Sequence, residues 1–283
     1  MLTLQATFQD AISRHQSGDV ESAMRLYQAI LKRHPDHAGA NHLLGVTLHQ
    51  RGDRERAIDH LEKALSLCQT KAVYWNNYGA ALRAAKRLDE AEIAFIRALA
   101  LKQDYPDALT NAALSCLDRR SYAEAIQFLQ RAVRLEPGRA DAHTHLGDAF
   151  RAQGDFKQAE TSYRRALQLA SNDVRAWIGL ANIASARRSH EKAEFAYRRA
   201  LDLSPENAEI QLALGDSLSA QGRIAEGTAC YHRACQLKPG RELWSLRDLG
   251  ACPAIFPDRD SLAQYRRELE RRLDQAAAEP PPV

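Results

Sequence analysis

An alanine returns every 34 residues along most of this 283-residue chain, and its neighbours return with it. Four residues later stands a tyrosine, phenylalanine or leucine, and three residues beyond that a second alanine in every copy but the first. On an α-helix, residues four and three apart share a face, so each large side chain lies between two small ones. Seven copies in phase predict an array of helical repeats rather than separate globular domains. The recurring residue is Ala23, Ala57, Ala91, Ala125, Ala159, Ala193 and, in the last copy, Gly227.

Each repeat reads as two helices joined by a turn. If the recurring alanine is numbered position 20, the repeats begin at residues 4, 38, 72, 106, 140, 174 and 208. Position 8 is always alanine or glycine, which allows the two helices of a repeat to approach closely. Glycine at position 15 in four repeats ends the first helix, and proline at position 32 in four repeats ends the second.

This pattern resembles the signature of the tetratricopeptide repeat (TPR) family over about residues 4–241. The shared features are the small residue at position 8, the alanines at positions 20 and 27, the large residue at position 24 and the proline at position 32. Trp75 and Trp177 occupy the aromatic position 4 of that family. The resemblance implies an all-α, right-handed α-solenoid, a superhelix of about seven helix hairpins whose first helices line a concave groove.

The repeat pattern stops after residue 241, and two further helices are predicted beyond it. Residues 242–252 read as an apolar capping helix on the last repeat. Residues 253–275 read as a connector and an amphipathic helix, and residues 276–283, rich in alanine and proline, are predicted to be disordered. The apolar face of the amphipathic helix carries Leu262, Tyr265, Leu269 and Leu273.

Composition and charge favour protein binding over nucleic-acid or membrane binding. The formal net charge is +3, and no run of about 18 apolar residues exists that could span a membrane. The N-terminus lacks the basic start and apolar core of a signal peptide, and the five cysteines form no CxxC pair. We therefore predict a cytoplasmic protein with reduced cysteines and with neither a nucleic-acid nor a membrane partner.

Catalytic and metal-binding patterns are absent from the sequence. It contains no nucleophile elbow, no phosphate-binding loop and no zinc-protease motif. His143 and His145 stand near Asp141 and Asp148, but two histidines two residues apart do not share a helix face well. We therefore predict a protein that is not an enzyme, with no catalytic residue, no metal and no cofactor.

Polar residues on the first helices mark the candidate peptide-binding groove that the resemblance implies. An asparagine amide offers two donors and an acceptor, and two asparagines one repeat apart can hold the backbone of an extended peptide. The predicted function is a non-catalytic scaffold or adaptor that binds an extended or helical protein segment. The predicted groove residues are Asn76, Asn77, Thr110, Asn111, Thr144, His145, Asp148, Asn182 and Asp216.

A narrower resemblance suggests an alternative function. Asn77 and Asn111 resemble the start of the asparagine ladder in the repeat arm of O-linked N-acetylglucosamine transferases. The segment 252–257 and the sequence around Tyr265 resemble the connector after the repeats in bacterial, SPINDLY-type relatives of those enzymes, where a glycosyltransferase domain normally follows. The alternative is therefore a bacterial substrate-recruiting arm that works with a separate glycosyltransferase.

Charge in the groove argues against one known kind of TPR ligand. TPR domains that bind the acidic C-termini of chaperones need cations around a central asparagine, and with Asn77 in that role Asp107 stands where a cation is required. The later part of the groove instead collects aspartates, which favours a basic or neutral peptide. These are Asp107, Asp141, Asp148 and Asp216. Ordinary solvated helix faces remain an alternative for these positions, and the chain is predicted to be a monomer or to self-associate weakly.

Overall fold

The structure is a computed structural model that describes residues 3–239 and 259–278. Fifteen helices account for most of these residues, and no strand occurs within the two ranges. The helices are α1 (Leu4–Gln16), α2 (Val20–Arg33), α3 (Ala38–Gln50), α4 (Arg54–Leu67), α5 (Ala72–Ala84), α6 (Leu88–Leu101), α7 (Pro106–Asp118), α8 (Tyr122–Leu135), α9 (Ala140–Gln153), α10 (Phe156–Leu169), α11 (Val174–Ala186), α12 (His190–Leu203), α13 (Ala208–Ala220), α14 (Ile224–Leu237) and α15 (Arg259–Ala278).

The chain divides into two compact units, Met1–Gln153 and Gly154–Val283. In the first unit α1 packs on α2, α3 on α4, α5 on α6 and α7 on α8, and the second helix of each pair also packs on the first helix of the next. In the second unit α11 packs on α12 and α13 on α14 in the same way, with α10 against α11. This succession of helix hairpins confirms the predicted all-α fold.

Phe95 shows why position 8 of a repeat must be small. Its ring is fully buried, and a Cβ added to Gly79 would lie 2.7 Å from it, which is closer than two carbon atoms can approach. Gly45 has the same relation to Leu61, again at 2.7 Å. The large residue at position 24 therefore fills the space left by position 8 of the same hairpin, as close packing requires.

The turn between the two helices of a repeat places position 15 in the left-handed region. Glycine takes this conformation in four repeats, with φ between 79° and 90°. In the other three repeats a long basic residue takes it, with φ between 56° and 64°. The glycines are Gly18, Gly52, Gly154 and Gly222, and the basic residues are Lys86, Arg120 and Arg188.

The C-terminal segment contains one described helix, α15, which belongs to the second unit. It includes the stretch where an amphipathic helix is predicted and ends at Ala278, three residues into the segment predicted to be disordered. The predicted capping helix, residues 242–252, lies outside the described residues.

Candidate peptide-binding site

Three asparagines and a histidine form a chain of hydrogen bonds, here called the relay, across α3, α5 and α7. Asn111 on α7 donates from its side-chain nitrogen to the side-chain oxygen of Asn76, at 3.0 Å. Asn76 donates to the side-chain oxygen of its neighbour Asn77 at 3.3 Å, and Asn77 donates to Nε2 of His42 at 2.9 Å. Every amide in this relay donates in the same direction, so the orientation of each one depends on the next.

His42 fixes the end of the relay because it is held neutral. Its side chain is 6% exposed and stacks on Tyr74 with ring centroids 4.1 Å apart and planes 18° apart. Burial, and to a smaller degree the charge of Lys71, lower the pKa of His42 to about 4. At neutral pH the ring is therefore uncharged, and in the tautomer with its proton on Nδ1 the Nε2 atom accepts the hydrogen bond from Asn77.

The relay differs in accessibility along its length. Asn76 is 4% exposed, whereas Asn77 and Asn111 are half-buried. An amide nitrogen has two N–H donors, and the relay uses one from each asparagine. Asn77 and Asn111 are therefore the more accessible asparagines of the relay, and each has a second N–H that the relay does not use.

Two threonines of the predicted site use their hydroxyls within their own helices. Thr110 is buried and donates to the carbonyl of Pro106 at 2.9 Å. Thr144 is buried and donates to the carbonyl of Ala140 at 3.2 Å. Hydroxyl groups bonded one turn back along a helix are a common way to satisfy a buried polar side chain.

The remaining predicted residues are divided between the two units. His145 and Asp148 lie half-buried on α9, in the first unit. In the second unit Asn182 accepts a hydrogen bond from the hydroxyl of Tyr197 at 2.7 Å, and Asp216 accepts one from the hydroxyl of Tyr231 at 3.0 Å. Of the nine predicted residues, the relay brings three together.

Arg139 modifies the acidic field that the sequence predicts for the groove. This half-buried side chain lies 2.7 Å from a carboxylate oxygen of Asp107 and 3.0 Å from one of Asp141. Two of the aspartates that favour a basic ligand are therefore already paired with a cation. Arg139 was not among the predicted groove residues, because it stands in the turn before α9 rather than on a first helix.

The groups gathered in the relay are suited to binding rather than to proton transfer or metal chemistry. Amides do not titrate, and His42 is neutral with its acceptor nitrogen engaged. Within residues 3–239 and 259–278, no group of three or more histidine, cysteine or acidic side chains could hold a metal ion. Over the same ranges, no helix is both long enough and apolar enough to cross a membrane.

Known proteins are similar in sequence to parts of this chain. The peroxisomal targeting signal receptor of Candida albicans is 35% identical over 86 residues, which is 30% of this chain and 14% of the receptor. The chain thus matches about a seventh of the length of that relative. "Protein NPGR1" of Arabidopsis thaliana is 33% identical over 96 residues, which is 33% of this chain and 14% of that protein.

Solved structures support the fold over a larger share of the chain. A tetratricopeptide repeat protein from Parabacteroides merdae is 14% identical, with a TM-score of 0.66 over 88% of this chain and 98% of its own.

A matching family model, described as "Cilia and flagella-associated protein 70 C-terminal domain", covers residues 2–211. This chain therefore belongs to that family of tetratricopeptide repeat proteins.

Proposed function

We propose that this protein is a non-catalytic interaction scaffold in which Asn77 and Asn111 bind the backbone of an extended protein segment. The relay that joins these two asparagines through Asn76 to His42 is the observation that carries the proposal. It holds two ligand-accessible amides in one fixed orientation at a spacing of one repeat. Binding of other proteins is the role that the tetratricopeptide family suggests.

The relay favours a ligand that offers both carbonyl and N–H groups, as a peptide backbone does. Asn77 and Asn111 each retain one N–H donor for a carbonyl oxygen. The side-chain oxygen of Asn111 receives no hydrogen bond within the described part of the chain, so it can accept one from a peptide N–H. Because the orientations are fixed before binding, less conformational entropy is lost when the ligand binds.

A protein of similar fold is described as having a peptide-binding site. YrrB is described as "a TPR protein with an unusual peptide-binding site"; it is 19% identical, with a TM-score of 0.54 over 66% of this chain and 96% of its own. At this identity the likeness extends to the fold alone. Peptide binding by the present chain therefore rests on the relay.

A display experiment tests the proposal even though the natural partner is unidentified. A library of random peptides of about 12 residues is selected on the immobilised full chain and on the Asn77→Ala/Asn111→Ala variant. We expect the double variant to recover about tenfold less of at least one class of the peptides selected on the wild type, because two hydrogen bonds are lost. The control is Asn172→Ala, which removes an exposed asparagine outside the relay. Equal recovery by the double variant and the control, with unchanged helicity, contradicts this site.

A substrate-recruiting arm for a separate glycosyltransferase is the second candidate. It is favoured by the spacing of Asn77 and Asn111, which resembles the ladder of the O-linked N-acetylglucosamine transferase arm. Co-purification with a glycosyltransferase that depends on these two asparagines supports this function, and a partner set without such an enzyme excludes it. A cytoplasmic location, and a monomer or weakly associating state, belong to both versions of the proposal.

A further inference from the structure

The second unit contains an apolar groove that is separate from the relay. It lies between α10 and α12, with α11 as its floor, and encloses about 650 Å³. Its apolar lining includes Leu167 from α10, Trp177, Leu180 and Ile183 from α11, and Phe195 from α12. A space of this size accommodates one or two large side chains of a bound segment.

Two aromatic rings at this groove are held in place while remaining accessible. Phe195 is 58% exposed, and its ring meets that of Trp177 nearly edge-on, with centroids 6.0 Å apart and planes at 76°. The indole N–H of Trp177 donates to the carbonyl of Ser171 at 3.0 Å, which fixes the ring. Exposed aromatic side chains that are already ordered are typical of protein-binding hot spots.

The corresponding positions of the first unit lie three repeats, or 102 residues, earlier in the chain. They include a tryptophan as well, but the residues around it differ. Trp75 corresponds to Trp177, and its indole N–H donates to the carbonyl of Gln69 at 2.9 Å. Where the second unit has Leu180, the first unit has the larger Tyr78, whose ring packs edge-on against Trp75 at 6.4 Å. The change from tyrosine to leucine removes a ring beside the tryptophan, which contributes to the open space in the second unit.

The rim of the groove also differs in charge between the two units. In the second unit the rim carries Arg164, Arg187 and Lys192 together with Glu160 and Glu191, an excess of one positive charge. Both oxygens of Glu160 are engaged, one by Arg164 and one by Arg187, each at 2.7 Å. The residues that correspond to the three cations in the first unit are Glu62, Ala85 and Glu90.

We infer that the groove between α10 and α12 is a second docking site, whose ligand is a protein segment with a large apolar side chain next to an aspartate or glutamate. The apolar side chain enters beside Trp177 and Phe195, and the carboxylate lies near the cationic rim. This site does not depend on the relay, and it gives the scaffold a second surface on which a different protein can bind.

Selection with the same displayed library tests this site in the full chain. We expect wild-type protein to enrich peptides in which phenylalanine, tryptophan or leucine is adjacent to an acidic residue. Phe195→Ser should reduce their recovery at least tenfold, and Leu180→Tyr, which copies the side chain of the first unit, should do the same. Ile93→Ser is the matched control, because Ile93 is the corresponding residue in the first unit and is 59% exposed.

Two further variants assign the outcome to one site or the other. Asn77→Ala/Asn111→Ala should leave recovery of the acidic, apolar peptides unchanged, so failure at the relay and failure at this groove are distinguishable. Lys192→Glu, which copies Glu90 of the first unit, should weaken the selected acidic peptides several-fold at low salt. Acidic, apolar peptides whose recovery is independent of Phe195 and Leu180, or groove-dependent peptides that are basic, overturn the inference.

Discussion

A single buried histidine decides which hydrogen-bonding groups the candidate peptide-binding site presents. His42 accepts from Asn77, so Asn77 offers its oxygen to Asn76, and Asn76 in turn offers its oxygen to Asn111. If Nε2 were protonated, it would face the N–H of Asn77, and two donors would oppose each other. Protonation of His42 would therefore oppose the observed orientation of the relay.

The lowered pKa of His42 predicts a stability that falls in mild acid. Because the folded pKa of about 4 lies below the ordinary value near 6.5, the unfolded chain binds more protons between these two values. The full contribution of His42 to the stability of the fold is present above about pH 6.5 and is lost as the pH falls toward about 4. We expect wild-type protein to lose about 2 kcal/mol of unfolding free energy from His42 between about pH 7.5 and about pH 5.

His42→Gln provides the control for this measurement, because glutamine can accept from Asn77 without titrating. Burial also lowers the pKa values of His49 and His60, and these act in the same direction in both proteins, so they cancel in the comparison. Urea midpoints at the two pH values give the difference. The pKa assignment is wrong if the variant loses as much stability as the wild type.

At the residue scale, the asparagines could be predicted from the sequence but their partners could not. Asn77 and Asn111 stand out because an amide recurs at the spacing of one repeat. The link to His42 depends on two residues 35 apart, one more than the period, and on which way each amide turns. Arg139 and Phe195 were missed because they stand outside the positions that the family resemblance assigns to the groove.

The turn at position 15 is the clearest element-scale rule in this fold. All seven turns adopt a left-handed backbone there, although only four carry glycine. An L-residue in this region has a higher backbone energy than glycine, by roughly 1 kcal/mol. The sequence indicated the turn where glycine occurs, whereas the left-handed backbone at Lys86, Arg120 and Arg188 was not predicted, because a long basic side chain does not signal it.

Substitutions at position 15 should change the unfolding free energy in opposite directions in repeats that carry a basic residue there and in repeats that carry glycine. Lys86→Gly should raise the unfolding free energy by roughly 0.5–1 kcal/mol, since it removes the strain at φ 64°. Lys86→Ala keeps the strained backbone and should be nearly neutral, which separates the backbone effect from the loss of the side chain. Thermal melts of the three proteins measure the difference, and equal shifts for glycine and alanine contradict the explanation.

Gly52→Ala tests the same rule by placing a residue with a Cβ in a turn that now carries glycine. A Cβ at Gly52 meets nothing within 4 Å, so any loss of stability comes from the backbone conformation at φ 83° rather than from a clash. We expect destabilisation of about 1 kcal/mol by denaturant unfolding. An unchanged midpoint is the contrary result.

For the whole molecule, the repeat pattern makes interactions local. Within each compact unit, helices pack on their neighbours along the chain, so a site needs only the hairpins that contribute to it. All members of the relay lie between residues 42 and 111, within the first compact unit. Periodicity predicted this architecture, whereas the two-unit division is not encoded in the period, because the repeat that contains α9 and α10 looks like the others.

A fragment of residues 1–153 should therefore retain the relay. We expect its helical content per residue to remain similar to that of the full chain and His42 to titrate at the same low pH, because α7 and the helices packed on it are present. Histidine ring signals in NMR spectra of the fragment and the full chain give this comparison. A His42 pKa near the ordinary value in a folded fragment contradicts a local relay.

The contact between Gly79 and Phe95 limits how a chain of this kind can change in length. One extra residue within a hairpin turns every later side chain of that helix by about 100°, which takes the ring away from the glycine that leaves room for it. A whole added hairpin leaves all such pairs intact. Growth by duplication of complete hairpins is therefore the tolerated route, and it leaves two tryptophans three full periods apart, free to acquire different neighbours.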